Sequence, residues 1–356
     1  MEHPARTADI ERLVQETIAV AGAPGATVAL SVDGEIWTTG VGFADAGRSE
    51  PLRSDARFGT YSITKTIIAA IVLRMAEDRV LALDDPINES LPELPFDTLV
   101  AIRQLLNHTG GMPDYGALAA YHDAVRDHPE TPWTATGFLH RTLGKDLLYM
   151  PGHGWRYSNI GYLMLRLILE RETGLTFPQV IRHYLALPAG LAGIAAIDSL
   201  AGSASLTPGY GAAANDGSEL VNVIAGYHPG WVSHGLVTAT ALDLARFLDL
   251  LFGGDLIGAA SLAEMTTPVP VTTSHPWMTK PSYGLGLMMD PGNRFGLVAG
   301  HTGGGPGYTT AAYRFPNVQG RRVTSVALVN RDGADTATDL VFSMVEAIAK
   351  HLGGDR

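Results

Sequence analysis

A serine and a lysine three residues apart, Ser62 and Lys65, are the first residues of this 356-residue sequence with the types and spacing to do chemistry together. They precede an apolar run from Ile67 to Leu73, which predicts a helix buried on every side. At this spacing the lysine amine lies about one helical turn from the serine hydroxyl and can reach it. A serine attacks a carbonyl only with such a base, or with a positive field such as a helix N-terminus provides. The pair therefore predicts a nucleophilic serine.

Lysine is rare in this sequence, which makes the position of Lys65 informative. The chain contains four lysines, and only Lys65 has a serine three residues before it. No charged residue lies between Lys65 and Arg74, so the amine lies in a segment where charge is unfavourable. A structural alternative stays open, in which Ser62 caps the helix and Lys65 extends to solvent.

A second candidate segment, Arg156-Tyr157-Ser158-Asn159, precedes a predicted helix from Ile160 to Thr173. Tyr157 could carry a proton if neighbouring cations lowered its pKa from about 10. Asn159 offers an amide donor and a carbonyl acceptor. The alternative is that Ser158 or Asn159 caps the helix and that Tyr157 packs as an ordinary aromatic residue.

A third segment, from Gly300 to Gly307, contains His301, Thr302 and three successive glycines before a predicted strand. Glycines at a strand entrance are typical of bulges or of a close approach by another group. Such an edge can offer a backbone N–H to a developing oxyanion, with His301 and Thr302 supplying hydrogen bonds nearby. Taken alone, the segment is a Gly-rich turn.

The three segments, in this order, resemble the motifs of the penicillin-recognising serine hydrolases. The motifs are Ser62-x-x-Lys65, Tyr157-x-Asn159 and His301-Thr302-Gly303. The likeness is to the branch that contains class C β-lactamases, D-Ala-D-Ala carboxypeptidases, D-amino-acid peptidases and amidases, and related esterases. The stretches Leu105 to Tyr115 and Gly235 to Phe247 resemble the same family, so the likeness covers roughly residues 10 to 350.

The resemblance implies catalytic roles for the matching residues. Ser62 would be the acylated nucleophile, and Lys65 and Tyr157 would handle its proton, with the choice of base between them left open. The backbone N–H groups of Ser62 and Gly304 would form the oxyanion hole.

The resemblance also implies a substrate-binding set. Asn159 would bind a substrate amide, and His301, Thr302 and Gly303 would line the substrate along the strand. His301 departs from the lysine that is usual in the β-lactamases, which argues against β-lactamase as the main activity. Trp231 is a weaker candidate for the cleft wall, with core packing as the alternative.

An α+β fold follows from the resemblance: a β-lactamase/transpeptidase-like antiparallel sheet flanked by helices, an all-helical lobe, and the site in the cleft between them. The residue pattern leads to the same layout, with residues 1–85 and 221–356 forming the sheet domain and residues 86–220 a helical inserted domain. Helices are predicted over residues 8–20, 62–79, 160–173, 240–253 and 336–352. Strands are predicted over residues 26–32, 35–43, 283–289, 307–315 and 322–330, the first two joined by an Asp33-Gly34 turn.

Composition limits the partners. A net charge of −11 without a basic stripe argues against nucleic acid. No apolar run approaches 18 residues, and the N-terminal residues lack an export signal, so we expect no membrane association and a cytoplasmic location. The chain has no cysteine, and a cluster at His122, Asp123, Asp127 and His128 is more typical of a solvated loop than of a metal site. We therefore expect no metal and no cofactor.

These observations predict a serine hydrolase that works through a Ser62 acyl-enzyme on a small ester, amide or D-peptide-like substrate. Three alternatives remain: a transacylase that passes the acyl group to an amine or alcohol, a DD-carboxypeptidase or weak β-lactamase, and a non-catalytic ligand-binding homologue. The intact Ser62, Lys65 and Tyr157 argue against the last of these.

Overall fold

The structure, a computed structural model, describes residues 4–212 and 219–354. Its helices are α1 Pro4–Ala21, α2 Ile63–Glu77, α3 Ile87–Ser90, α4 Ile102–Leu106, α5 Ala119–Asp127, α6 Ala135–Thr142, α7 Asn159–Thr173, α8 Phe177–Ile181, α9 Leu200–Ser203, α10 Ala241–Gly253, α11 Ala259–Met265 and α12 Thr336–Gly354. Its strands are β1 Gly25–Val32, β2 Glu35–Gly42, β3 Phe58–Gly59, β4 Ala195–Ile197, β5 Tyr210–Ala212, β6 Leu220–Asn222, β7 Leu236–Ala239, β8 Val269–Pro270, β9 Ser282–Tyr283, β10 Met288–Asp290, β11 Val298–Gly305, β12 Tyr308–Val318 and β13 Arg321–Val329. None of these helices is long and apolar enough to cross a lipid bilayer.

An eight-stranded sheet forms the main layer, in the order β2-β1-β13-β12-β11-β10-β9-β8 with antiparallel neighbours throughout. The predicted β1–β2 hairpin is confirmed, because Asp33 and Gly34 both have positive φ, 51° and 93°, as a two-residue hairpin turn requires. On its other side β1 pairs with β13, with Ala26 opposite Val329. The sheet therefore joins the N-terminal and C-terminal parts of the chain, and the predicted α+β fold is confirmed.

Helices cover both faces of this sheet. Side chains alternate along a strand, so Val28 and Leu30 pack with α1 and α12, while Ala29 packs on the face that carries α2 and α10. Ser31 lies on that second face and donates a hydrogen bond to Asp249 of α10 at 2.5 Å. Both faces of β1 are consequently buried, as its eight buried residues show.

Helix α2 lies between the sheet and the helical part of the chain. Its contacts include β11 and β12 on one side and α7 on the other, and nearly all its residues from Ile63 to Met75 are buried. Helix α7 is likewise central, with α3, α4, α6 and α8 packed around it. The predicted α7 is confirmed to within one residue: the Ser158 hydroxyl caps its first turn, and Gly174 ends it with a φ of 67°.

Two strand predictions were wrong. The run Tyr283 to Met289 is divided into β9 and β10 by a turn in which the Gly284 N–H donates to the Leu287 carbonyl. The segment from Gly300 to Gly305, predicted as a Gly-rich entrance to a strand, is itself part of β11. Its extended conformation comes from pairing with β10 and β12, because glycine has little strand preference of its own.

The stretch predicted to be a helical insertion contains short strands as well as helices. Strand β4 pairs with β7, which also pairs with β3, in a separate three-stranded sheet. Strands β5 and β6 pair with each other on either side of residues 213–218, which lie outside the described residues. The limits of the inserted domain stay a prediction.

Candidate active site

Ser62 occupies the position immediately before α2, at the helix N-terminus. Its backbone is already helical, with φ −74° and ψ −10°, and its hydroxyl makes no capping bond, so the capping alternative is wrong. The preceding residue, Tyr61, has a φ of 47°, which is costly for a residue with a side chain. The Tyr61 hydroxyl donates to the Pro306 carbonyl, and its ring packs against Gly305. These two contacts hold the turn in place.

Lys65 is fully buried, with none of its surface exposed, so the alternative in which its amine extends to solvent is wrong. Its Nζ lies 3.0 Å from Ser62 Oγ and 2.8 Å from Asn159 Oδ1. Burial lowers the pKa of Lys65 to about 7, with the negative charge of Asp114 opposing the shift. A large fraction of Lys65 is therefore neutral at neutral pH and able to accept a proton.

Tyr157 completes the contacts of the serine hydroxyl, because its OH donates to Ser62 Oγ at 2.9 Å. Its ring centre lies 4.9 Å from Lys65 Nζ. Burial nevertheless raises the pKa of Tyr157 well above 10, and the hydrogen bond to Ser62 offsets only part of this. The lowered pKa on which the sequence argument depended is therefore absent, and Tyr157 acts here as a hydrogen-bond donor.

Asn159 connects Lys65 to a carboxylate that the sequence analysis did not single out, Asp114. The Asn159 backbone N–H donates to Asp114 Oδ1 at 2.8 Å, and its side-chain amide donates to Oδ2 at 3.2 Å. Burial raises the pKa of Asp114, while the hydrogen bonds from Asn159 and the charge of Lys65 act in the opposite direction. Both ends of the Asn159 side chain thus have protein partners, and its predicted contact with a substrate amide stays a prediction.

His301 lies within the protein, at 1% exposure, and its ring is neutral. Its Nδ1 lies 2.5 Å from the Thr302 carbonyl, which can only accept, so Nδ1 carries the hydrogen and Nε2 accepts from the Tyr283 hydroxyl at 2.8 Å. Burial, with a contribution from the charge of Lys65, lowers the pKa of His301 to about 3. Both ring nitrogens are occupied, and the ring carries no charge for a substrate carboxylate. Thr302 is half-buried, and its hydroxyl donates to the Met288 sulfur at 3.5 Å.

Gly303 and Gly304 differ in what surrounds them. A Cβ at Gly303 would lie 2.2 Å from the Thr60 carbonyl oxygen and 3.1 Å from Ser62 N, so β11 passes the α2 N-terminus at a distance that only glycine allows. A Cβ at Gly304 would meet no atom within 4 Å. This close approach brings the backbone of Gly303 and Gly304 beside the Ser62 N–H, which has no hydrogen-bond partner among the described residues. The Ser62 N–H is thus available for an oxyanion, and the predicted contribution of the Gly304 N–H stays a prediction.

A pocket of about 140 Å³ opens onto Ser62, and its lining includes Asn159, Gly304 and Trp231. Trp231 also packs as a core residue, fully buried, with its Nε1–H donating to the Pro129 carbonyl at 3.0 Å, so both interpretations of this residue apply. The other walls are mainly aromatic, formed by Tyr61, Tyr115, Tyr121 and Tyr227. A larger crevice of about 690 Å³ lies at the surface beside α12, away from Ser62.

The charged cluster of His122, Asp123, Asp127 and His128, predicted to be a solvated loop, lies on helix α5 and at its C-terminal end. Its residues His122 and Asp123 are exposed, and Arg126 pairs with both Asp123 and Asp127 at 2.9 Å. Within residues 4–212 and 219–354, no group of three His, Cys, Asp or Glu side chains is arranged to hold a metal ion.

Three residues near Ser62 were missed by the sequence analysis: Asp114, His108 and His234. The His108 ring lies 4.4 Å from the Tyr157 ring, and its Nδ1 accepts a hydrogen bond from the Ser158 N–H. His234 Nε2 lies 3.4 Å from Lys65 Nζ. Asp114 and His108 fall within the stretch that already resembled the family, which could have indicated them. His234 had no comparable pattern.

A comparison with protein-family models matches residues 10–345 of the chain to the family described as Beta-lactamase. Among curated proteins, penicillin-binding protein 4* of Bacillus subtilis is 28% identical over 82% of this chain, and esterase EstB of Burkholderia gladioli is 32% identical over 47%. The matched segments span only 64% and 45% of those two relatives. The resemblance predicted from the three motifs is confirmed.

Solved structures show the same fold. A D-stereospecific amidohydrolase from Streptomyces sp. superposes with a TM-score of 0.77 at 25% identity, covering 94% of this chain and 98% of its own. A D-amino acid amidase from Ochrobactrum anthropi SV3 superposes with a TM-score of 0.80 at 24% identity, covering 98% of each chain.

The contrast between the two glycines gives a prediction about stability. Gly303→Ala forces a methyl group against the Thr60 carbonyl, so we expect it to lower the free energy of unfolding by about 1–3 kcal/mol. Gly304→Ala is the matched control, and because its methyl group enters open space we expect a change within about 0.5 kcal/mol. Urea unfolding of the two variants measures both values, and equal stabilities would contradict the close approach of β11 to α2.

Proposed function

The chain belongs to the β-lactamase family, and on that premise we propose that it is a serine acyl hydrolase that forms an ester on Ser62 with small, uncharged ester or amide substrates. The observation that carries the proposal is the pair of contacts at one oxygen. Ser62 Oγ lies 3.0 Å from Lys65 Nζ and 2.9 Å from the Tyr157 hydroxyl. A serine between a base and a second proton carrier is the arrangement that acyl transfer needs.

We assign the base to Lys65. Its pKa of about 7 leaves a lone pair available near neutral pH, whereas the raised pKa of Tyr157 keeps that hydroxyl protonated. Lys65 takes the Ser62 proton while Oγ attacks the substrate carbonyl carbon. The N–H groups of Ser62 and Gly304 then receive the oxyanion, a contribution worth about 10²- to 10³-fold in rate for each donor.

Tyr157 suits the second half of acylation. When the tetrahedral intermediate collapses, the Tyr157 hydroxyl gives its proton to the leaving alcohol or amine and takes one back from the Lys65 ammonium. The bond from the carbonyl carbon to the leaving group breaks, and the acyl group stays on Ser62. A water molecule activated by the same neutral Lys65 then releases the acid and regenerates the serine.

The pocket supports the restriction to uncharged acyl groups. No Lys, Arg, Asp or Glu side chain belongs to its described lining, and His301 is neutral with both ring nitrogens occupied. A substrate carboxylate placed there would lose water without gaining a cationic partner, which is unfavourable. This disfavours a DD-carboxypeptidase or β-lactamase function, whose substrates carry a carboxylate.

Removal of the nucleophile tests the proposal directly. Ser62→Ala should reduce turnover of p-nitrophenyl esters by at least about 10⁴-fold, because no other described hydroxyl contacts both Lys65 and Tyr157. The exposed Ser274 provides a control, Ser274→Ala, which should keep the wild-type rate. Mass spectrometry should find the acyl adduct on the peptide that contains Ser62. Near-normal rates in Ser62→Ala, or an adduct on another peptide, would exclude the assignment.

The pH dependence follows from the lowered pKa of Lys65. Protonated Lys65 has no lone pair, so kcat/KM should rise with pH and level off above a midpoint near 7. Because the pKa of Tyr157 is raised, we expect no second decline up to about pH 10. Initial rates between about pH 5.5 and 10, corrected for spontaneous ester hydrolysis, measure the profile. A flat profile through pH 7 would refute Lys65 as the base.

Acyl selectivity can be measured with two esters that share a leaving group and a four-carbon acyl chain, p-nitrophenyl butyrate and p-nitrophenyl hemisuccinate. We expect kcat/KM to favour the butyrate by at least about 10-fold, because only the hemisuccinate brings a carboxylate into the uncharged pocket. Equal rates, or a preference for the hemisuccinate, would show that an unassigned cation serves the site.

A further inference from the structure

His234 lies just before β7 and is buried at 2% exposure, yet none of the steps above uses it. Its Nε2 lies 3.4 Å from Lys65 Nζ, and the ring forms part of the pocket wall beside Ser62. Its Nδ1 makes no hydrogen bond of normal geometry with the described residues. The contact with Lys65 is therefore the polar interaction that distinguishes this ring from an ordinary core residue.

The ring of His234 is neutral, so one of its two nitrogens can accept a hydrogen bond from Lys65. Burial, followed by the charges of Lys65, His301 and Arg166, lowers the pKa of His234 well below 6.5. A neutral ring carries its hydrogen on one nitrogen, and with the hydrogen on Nδ1 the Nε2 lone pair faces Lys65.

The donors and acceptors around Lys65 Nζ then match in number. A neutral amine has two N–H groups and one lone pair. Asn159 Oδ1, at 2.8 Å, can only accept, and His234 Nε2, at 3.4 Å, is a second acceptor. If these two take the N–H groups, the lone pair is left for the Ser62 hydroxyl at 3.0 Å. After proton transfer, the ammonium has three N–H groups for the same three neighbours.

We propose that His234 is a positioning residue that accepts an N–H of Lys65 and thereby directs the lysine lone pair at the Ser62 hydroxyl. The inference rests on the proposed function, since it assigns His234 to the same acylation step. Without His234, one N–H of the neutral amine would have no acceptor. The amine could then rotate so that this N–H, and not the lone pair, points at the Ser62 hydroxyl. The amine would still be buried, but its orientation would no longer be set.

Two substitutions separate the acceptor from the packing. His234→Leu keeps an apolar side chain of similar bulk and removes the acceptor. His234→Gln restores an acceptor near the Nε2 position. The exposed His140 gives a control, His140→Leu, that removes a histidine remote from Lys65.

The first measurement is the titration of Lys65 itself. The chain has four lysines, so a sample labelled at lysine ¹³Cε gives four NMR signals, and Lys65→Arg identifies the one that belongs to Lys65. A neutral acceptor stabilises the ammonium more than the amine, so His234→Leu should lower the titration midpoint of Lys65 by about one unit. His234→Gln and His140→Leu should leave the midpoint close to that of the wild type. The other titrating groups around Lys65 and His234 are unchanged in all variants, namely Asp114, His108, His301, Tyr157, Tyr162 and Arg166.

The second measurement is the acylation rate at the high-pH plateau. Loss of orientation should lower this rate about 10-fold in His234→Leu, with recovery to within about threefold in His234→Gln. Thermal unfolding verifies that both variants fold, and if His234→Leu does not, His234→Gln against the wild type still gives both values. An unshifted or raised Lys65 midpoint in His234→Leu, or an unchanged plateau, would overturn the inference. The titration requires no turnover, so a wild-type protein that never acylates would instead count against the proposed function.

Discussion

A primary amine is held in the interior of this protein, and no carboxylate of the described residues is in contact with it. The charge that acts on the pKa of Lys65 is that of Asp114. Asn159 lies between the two side chains, with its carbonyl toward the amine and its amide toward the carboxylate. Direct contact with a carboxylate would favour the ammonium and raise the pKa of Lys65, which would remove the base. Asn159 thus separates two charges while satisfying both groups. The chemistry of the site depends on this separation.

The fold supplies that environment by enclosing α2 on both sides. The sheet covers one side of the helix and α7 the other, so the residues of its first turn from Ile63 to Thr66 are buried. Ser62, Tyr157 and Gly304 come from widely separated parts of the chain and meet at this turn. The strained backbone of Tyr61 and the absent side chain of Gly303 both let β11 and α2 approach closely. Local strain and a glycine are accepted here because they bring the reacting groups together.

Much of this arrangement could be predicted from the sequence where local patterns are strong. The Asp33-Gly34 turn and the capped helix α7 have residues whose own preferences agree with the fold. Strand β11 could not be recognised, because its glycines carry no side chains and its conformation comes from neighbours that are distant in the sequence. His234 was missed for a related reason. A single histidine has no periodicity, and its importance lies in a contact with a residue 169 positions away.

The burial of the Lys65 amine is another property that the sequence alone could not predict. The spacing from Ser62 predicts that the two side chains meet, and they do. Whether the amine is buried or extends to water depends on what packs around α2, and that is decided by α7, β7 and β11 together. The lowered pKa of Lys65 and the raised pKa of Tyr157 follow from this burial and could not be derived from residue types alone.

The pairing of β1 with β13 has a consequence for biosynthesis. Ala26 lies opposite Val329, so the middle of the main sheet cannot close until the chain as far as Val329 has left the ribosome. Until then the hairpin of β1 and β2 exposes an open edge, which is a surface prone to association with other nascent chains. Such distant pairing also slows folding once the chain is released. Production in a heterologous host should therefore benefit from chaperones that shield the early hairpin.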